Sequence, residues 1–88
     1  MLTPSFQRQF LKDLKLAKKR GKDLSKLKII IQLLQKETPL PAKNRNHKLS
    51  GEFKESRECH IEPDWLLIYR KTATEITFIR TGSHSDLF

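Results

Sequence analysis

The residues best suited to chemistry lie at two ends of one C-terminal stretch. Arg57-Glu58-Cys59-His60-Ile61-Glu62-Pro63-Asp64-Trp65 opens it, and Arg80-Thr81-Gly82-Ser83-His84-Ser85-Asp86-Leu87-Phe88 closes it. An apolar run separates them. The three histidines, His47, His60 and His84, all fall outside the helical patterns, and histidine is the side chain best matched to proton transfer near neutral pH. Arg80 shares the parity of Ile76 and Phe78, on a face where an arginine needs a carboxylate or a phosphate as partner. Such groups can cut RNA without a metal. A base takes the ribose 2′-hydroxyl proton, the oxygen attacks phosphorus, a cation stabilises the phosphorane, and an acid protonates the departing 5′-oxygen.

Other chemistries fit less well. His60 and Asp64 stand four apart and His84 two from Asp86, neither a compact zinc pattern, and with one cysteine there is no cysteine pair. No metal and no cofactor are expected. Cys59 and His60 are neighbours on a predicted strand and point to opposite faces, so Cys59 reads as a small core residue. Gly82 reads as a turn glycine that lets the tail swing off the last strand. Pro63 fixes the direction of Asp64. Trp65 suits the core, and the terminal Phe88 suits stacking on a base.

These groups need a scaffold, and 88 residues suffice for one domain, 1–88, with a modest core. Residues 5–20 read as a helix on Phe6, Phe10, Leu11, Leu14 and Ala17, capped by Ser5 or Thr3 and ended by Gly21. Residues 23–36 read as a second helix with Asp23 as its N-cap, closed by Thr38-Pro39-Leu40-Pro41. Then the period changes: Phe53–Ile61, Trp65–Lys71 and Glu75–Thr81 read as strands, with Met1-Leu2-Thr3 as a further edge strand. The expected fold is α+β, two N-terminal helices packed on an antiparallel sheet of three to four strands.

Charge is divided unevenly. Residues 1–50 hold 13 Lys/Arg against 3 Asp/Glu, a net of +10, and residues 51–88 hold 5 against 7, a net of −2. A basic half of this kind is the electrostatic footprint of a nucleic-acid or ribosome binder. The lone cysteine suits a reducing cytoplasm. No signal-peptide pattern or bilayer-length apolar run is present in the sequence, so a soluble, cytoplasmic protein is expected.

The run His47-Lys48-Leu49-Ser50-Gly51, the block Arg57 to Tyr69 and the tail Arg80 to Phe88 resemble the YafQ branch of the RelE/ParE toxin superfamily. The resemblance covers nearly the whole chain. It implies the microbial-ribonuclease-like fold and a type II toxin that cleaves messenger RNA in the ribosomal A site. It also implies neutralisation by a small acidic antitoxin, through which the pair binds operator DNA. By motif it places the site on His47, His60, Asp64, Arg80, His84 and Phe88, with Trp65 in support. His84 is then the general acid; His60 or His47, assisted by Asp64, is the base; Arg80 holds the phosphate. The expected partners are the 70S ribosome and mRNA, with RNA docking on Lys18, Lys19, Arg20, Lys43, Arg45 and Lys48 beside Trp65. ParE-like relatives share the fold and target gyrase by protein binding, an alternative with no use for the histidines and Arg80.

Overall fold

A computed structural model describes residues 1–49 and 55–88. Its strands are β1 (Thr3–Phe6), β2 (His47–Lys48), β3 (Arg57–Glu62), β4 (Trp65–Lys71) and β5 (Glu75–Gly82); its helices are α1 (Arg8–Lys19), α2 (Leu24–Gln35) and α3 (His84–Leu87). The sheet has five strands in the order β1-β5-β4-β3-β2. The α+β class holds. The strand number is higher than expected, and the sheet is mixed, because β1 runs parallel to β5 with Thr3 opposite Glu75 and Phe6 opposite Phe78. The start of the strand expected from Phe53 lies outside the described residues.

Two apolar clusters sandwich the sheet. On one side Phe10, Ala17, Leu27, Ile30 and Leu34 of the long helices meet Cys59, Trp65, Leu67, Tyr69, Ile76 and Phe78. On the other, Leu66, Ile68 and Ile79 meet Leu87 of α3. The alternation of β4 explains both, since Leu67 and Tyr69 serve the first cluster and Leu66 and Ile68 the second. Among the described residues, the side of the sheet away from α1 and α2 is covered only locally, near α3 and Leu49, which leaves room for a site.

The first helix begins later than its periodicity suggests. Ser5 and Thr3 pair in β1 instead of capping, and Gln7 precedes α1 with no side-chain cap. Phe6 still serves the core, its ring 5.7 Å from Phe10 and 5.3 Å from Phe78. Leu11 is 46% exposed, whereas Asp13 turns inward. At the end of α1, Lys22 N–H donates to Ala17 and Gly21 N–H to Lys18, a Schellman ending in which Gly21 takes φ +80°. The second helix follows expectation, with the Asp23 side chain accepting from Ser25 N–H.

The same ending closes α2, but with Glu37 at φ +56° in the left-handed position. A side chain there costs roughly 1–2 kcal/mol. Glu37→Gly is expected to raise unfolding stability by about 1 kcal/mol in a urea titration, with an unchanged m-value.

Candidate active site

Strand pairing gathers the histidines. His47 stands opposite Glu58 in the β2–β3 ladder, and His60 lies two residues beyond Glu58 on the same face. The His47 and His60 rings are 6.4 Å apart, and the His60 and His84 rings 5.8 Å. The three imidazoles thus form a row on the α3 side of the sheet, while Cys59 faces the core between the long helices and β3. Burial pushes the Cys59 thiol up to about 12, which removes it as a nucleophile.

Glu58, a residue that no sequence motif singled out, is the centre of one half of the row. It is 4% exposed, and its Oε1 lies 3.2 Å from His60 Nε2 and 3.9 Å from His47 Nε2. Hydrogen-bond roles fix much of the protonation. His60 Nδ1 lies 3.2 Å from the Pro63 carbonyl, which can only accept, so Nδ1 carries hydrogen. The other ring nitrogen, Nε2, faces the Glu58 carboxylate at 3.2 Å. That nitrogen is engaged, and His60 itself is buried. His47 differs: Nδ1 donates to the Lys48 carbonyl at 3.1 Å, and its exposed ring keeps Nε2 free to accept a proton beside the Glu58 carboxylate. Of the two histidines expected as base, the geometry favours His47.

Asp64 is not the partner of either. Its Oδ1 accepts from the His84 backbone N–H at 2.9 Å and from His84 Nδ1 at 2.7 Å. These two hydrogen bonds, backbone first, hold the Asp64 carboxyl below the usual carboxylate range. Asp64 therefore orients His84, directing Nε2 away from the β3–β4 turn.

The tail is a built element, not a loose arm. Ser83 and Asp86 form a reciprocal capping box at the start of α3, and Arg20 Nη1 reaches Asp86 Oδ2 at 2.7 Å from the end of α1. Gly82 belongs to β5 and makes no left-handed turn; a Cβ there would lie 3.0 Å from both Cβ and Oδ2 of Asp86. Its role is to let Asp86 close over the strand end. Phe88 N–H donates to the His84 carbonyl at 2.9 Å, and Phe88 is 64% exposed.

Arg20, through its hydrogen bonds to the carboxylate, lowers the Asp86 carboxyl to about 2. A depressed carboxyl stabilises the fold fully above its ordinary value near 3.8, and that contribution is lost as pH falls through about 2. Arg20→Ala is expected to move acid unfolding, followed by circular dichroism, to higher pH, with α3 exchanging its amide hydrogens faster than the strands.

Arg80 departs from simple alternation. The β4–β5 register shifts between Ile68–Arg80 and Tyr69–Phe78, so Ile79 is an extra residue and the parity of Ile76 and Phe78 does not continue. The expected anionic partner is present: Asp13 of α1, 8% exposed, accepts from Arg80 Nε at 2.7 Å and Nη2 at 3.2 Å. It also accepts from Thr81 N–H at 3.2 Å and Gln9 Nε2 at 3.1 Å. The Asp13 hydrogen bonds raise the Arg80 guanidinium above its ordinary value. Arg80 and Asp64, the carboxylate that orients His84, line one cleft of about 330 Å³ between α1 and the start of α3.

The residues expected to contact RNA divide. Lys18, Lys19, Lys43, Arg45 and Lys48 are exposed, and Arg20 is exposed but paired with Asp86. Trp65 is corrected: it is 1% exposed, and its Nε1 donates to Thr81 Oγ1 at 2.9 Å. The indole is a core residue with no face for a base. Glu58 and Asp13 could have been found from the sequence. Glu58 shares strand parity with His60, and Asp13 falls three after Phe10 and four before Ala17, on the buried stripe of α1.

One group of possible metal ligands converges that sequence spacing did not suggest. His47, Glu58 and His60 each offer a ligand atom, all within 4.8 Å of one another. Sequence spacing hid this group because the β2–β3 ladder brings His47 to Glu58.

Known proteins show the same pattern along the whole chain. The family described as the bacterial toxin of type II toxin–antitoxin systems, YafQ, matches residues 2–88. The mRNA interferase toxin YafQ of Escherichia coli K12 is 51% identical over 81 residues, covering 91% of this chain and 88% of that protein. In the crystal structure of the E. coli DinJ–YafQ toxin–antitoxin complex, a chain 45% identical superposes with a TM-score of 0.92 over 99% of this chain and 97% of its own. The crystal structure of a metal-bound toxin from Helicobacter pylori, 42% identical, gives 0.93 with both chains fully covered. With the family matched from residue 2 to the C-terminus, this chain belongs to the YafQ toxins of type II toxin–antitoxin systems.

Proposed function

We propose that this toxin is an endoribonuclease that cleaves messenger RNA in the ribosomal A site by metal-independent attack of the 2′-hydroxyl. The observation that carries the reading is the His84–Asp64 pair set across His60 from the exposed His47, with Arg80 on the adjoining cleft. His47 Nε2 takes the 2′-hydroxyl proton, and Glu58 stabilises the imidazolium that results. The 2′-oxygen bonds to phosphorus as the bond to the 5′-oxygen breaks. Arg80 stabilises the phosphorane charge, and His84 Nε2 delivers the proton to the leaving oxygen. The products are a 2′,3′-cyclic phosphate and a free 5′-hydroxyl. The Glu58–His60 pair stands between the base and the acid, and Phe88 packs on a base. The relative named an mRNA interferase supports the reading. A gyrase-binding role makes no use of this row of imidazoles.

Lys18 and Lys19 at the end of α1, with Arg20 next to them, and Lys48 on the edge strand β2 contact ribosomal RNA. The natural inhibitor is an acidic antitoxin, as the DinJ–YafQ complex suggests, and the pair reaches operator DNA through that partner in the cytoplasm. Mapping messenger 5′ ends after induced expression tests class and ribosome dependence together. In-frame cuts confined to translated regions are expected; cuts that ignore the reading frame would defeat the A-site assignment.

Metal independence has its own test. EDTA is expected to leave the cleavage rate unchanged. Copper or zinc at His47, Glu58 and His60 would occupy the lone pair that the base needs, so micromolar additions are expected to inhibit. The relative described as metal-bound makes this relevant. A rate that EDTA abolishes and a divalent ion restores would replace the mechanism.

A further inference from the structure

On the other side of Asp64 from the Arg80 cleft lies a second cavity, of about 620 Å³, between the start of α2, the turn at Ala42–Asn44 and the β3–β4 turn. His60 and Asp64 form part of its wall, beside Lys22, Lys26, Lys43 and Arg45. Its charge is unevenly spent. Lys22 and Lys26 both bind Glu62, at 3.1 Å and 2.9 Å, whereas Lys43 and Arg45 have no ion-pair partner among the described residues. In the Arg80 cleft, by contrast, Arg80 is matched by Asp13 and Arg20 by Asp86. Among the described residues, Lys43 and Arg45 bring unmatched positive charge to the wall that holds His60 and Asp64.

Two further features show that this wall is built. Asn44, 3% exposed, ties the turn to the catalytic strand by donating from Nδ2 to the His60 carbonyl at 2.7 Å. Its Oδ1 is buried with no hydrogen-bond partner among the described residues, and leaving a buried acceptor so is costly. Arg45 follows in the left-handed region, φ +46° and ψ +51°, where a side chain is disfavoured. Strain at a residue that carries a cation next to the chemistry is the pattern of a ligand-holding loop.

We propose that this cavity is a phosphodiester subsite for the cleaved strand itself, in which Lys43 and Arg45 hold the backbone phosphate next to the scissile one. The inference rests on the ribonuclease reading and sharpens it, because it takes Lys43 and Arg45 from the ribosome-facing surface and gives them to the messenger. An RNA strand suits the cavity better than an acidic peptide, since its wall includes His60 and Asp64 and its occupant is then continuous with the reacting phosphate.

The test uses the isolated toxin and labelled 2′-O-methyl oligonucleotides of two and four nucleotides, which bind but offer no nucleophile. By fluorescence anisotropy the wild type is expected to bind the longer strand about tenfold more tightly. Lys43→Ala with Arg45→Gly is expected to abolish that advantage and to flatten the salt dependence by about 0.7 in log–log slope for each phosphate no longer neutralised. Arg45→Gly alone separates binding from folding: glycine relieves the left-handed strain, so the thermal midpoint holds or rises while the affinity falls. A length advantage that persists in these variants overturns the subsite alone. Variants that lose affinity for an acidic antitoxin but not for RNA also overturn it, and assign the cavity to the protein partner. A wild type that binds neither oligonucleotide overturns the subsite and leaves the ribonuclease reading to the mapping of messenger 5′ ends, which does not depend on binding by the isolated toxin.

Discussion

His84→Ala is expected to slow single-turnover cleavage of ribosome-bound messenger by about 10²–10⁴-fold, the usual contribution of a positioned general acid. The size follows from the leaving group: an alkoxide at the 5′-oxygen is a poor one, and without a proton it departs only at great cost. Among the described residues no second acid stands in the same position. His60 Nε2 is engaged by Glu58, and His47 lies beyond His60 in the row. A substrate whose leaving 5′-oxygen is replaced by sulfur separates this role from a structural one, because a thiolate leaves without protonation. On that substrate His84→Ala is expected to recover most of the wild-type rate, while His47→Ala, which lacks the base, remains slow. Asp64→Asn is expected to resemble a milder His84 defect with the same rescue, since Asp64 acts through His84 Nδ1. If the sulfur substrate rescues neither His84→Ala nor Asp64→Asn, His84 is not the acid.

How much of this arrangement is legible in the sequence depends on the range of the interaction. Asp23 as a cap, Gly21 as an ending and the alternation of β4 are local, and each folds as its neighbours dictate. The histidines, Arg80, His84 and Asp64 are legible as residue types with a known motif order. Their pairings are not, because Asp64 meets His84 across 20 positions and Arg80 meets Asp13 across 67. Two local features mislead. The bulge at Ile79 breaks the parity used for Arg80, and the parallel pairing of β1 draws Ser5 out of the helix it was expected to cap. Asp13 and Glu58 are legible in position, but their purpose is hidden, because each is a charged residue on a buried face, where a hydrophobic pattern tolerates one exception without explaining it. Both exceptions stand next to site residues, where a local rule is most often broken for function.

Asp13 then carries the second large prediction. Arg80→Ala is expected to lower the cleavage rate by about 10²–10³-fold, the cost of losing one preorganised stabiliser of transition-state charge. Asp13→Asn tests what holds that stabiliser. Two effects oppose each other. Removing the carboxylate unmasks the Arg80 charge, which favours phosphate binding, but it also loosens a guanidinium now fixed by Nε and Nη2, leaving Nη1 without a hydrogen bond among the described residues. Misplacement should dominate, because transition-state stabilisation depends on fixed geometry while ground-state attraction does not. The expected signature is therefore a KM equal to or below wild type with a kcat about tenfold lower. Asp13 also accepts from Thr81 N–H and Gln9, so a stability loss of about 1–3 kcal/mol is expected alongside; kinetics should be measured where both proteins are fully folded. The double variant decides the matter. If Asp13 acts only through Arg80, Asp13→Asn on top of Arg80→Ala slows cleavage no further. Additive losses in the double variant would make Asp13 a fold staple between α1 and β5 with no part in holding the phosphate-binding arginine.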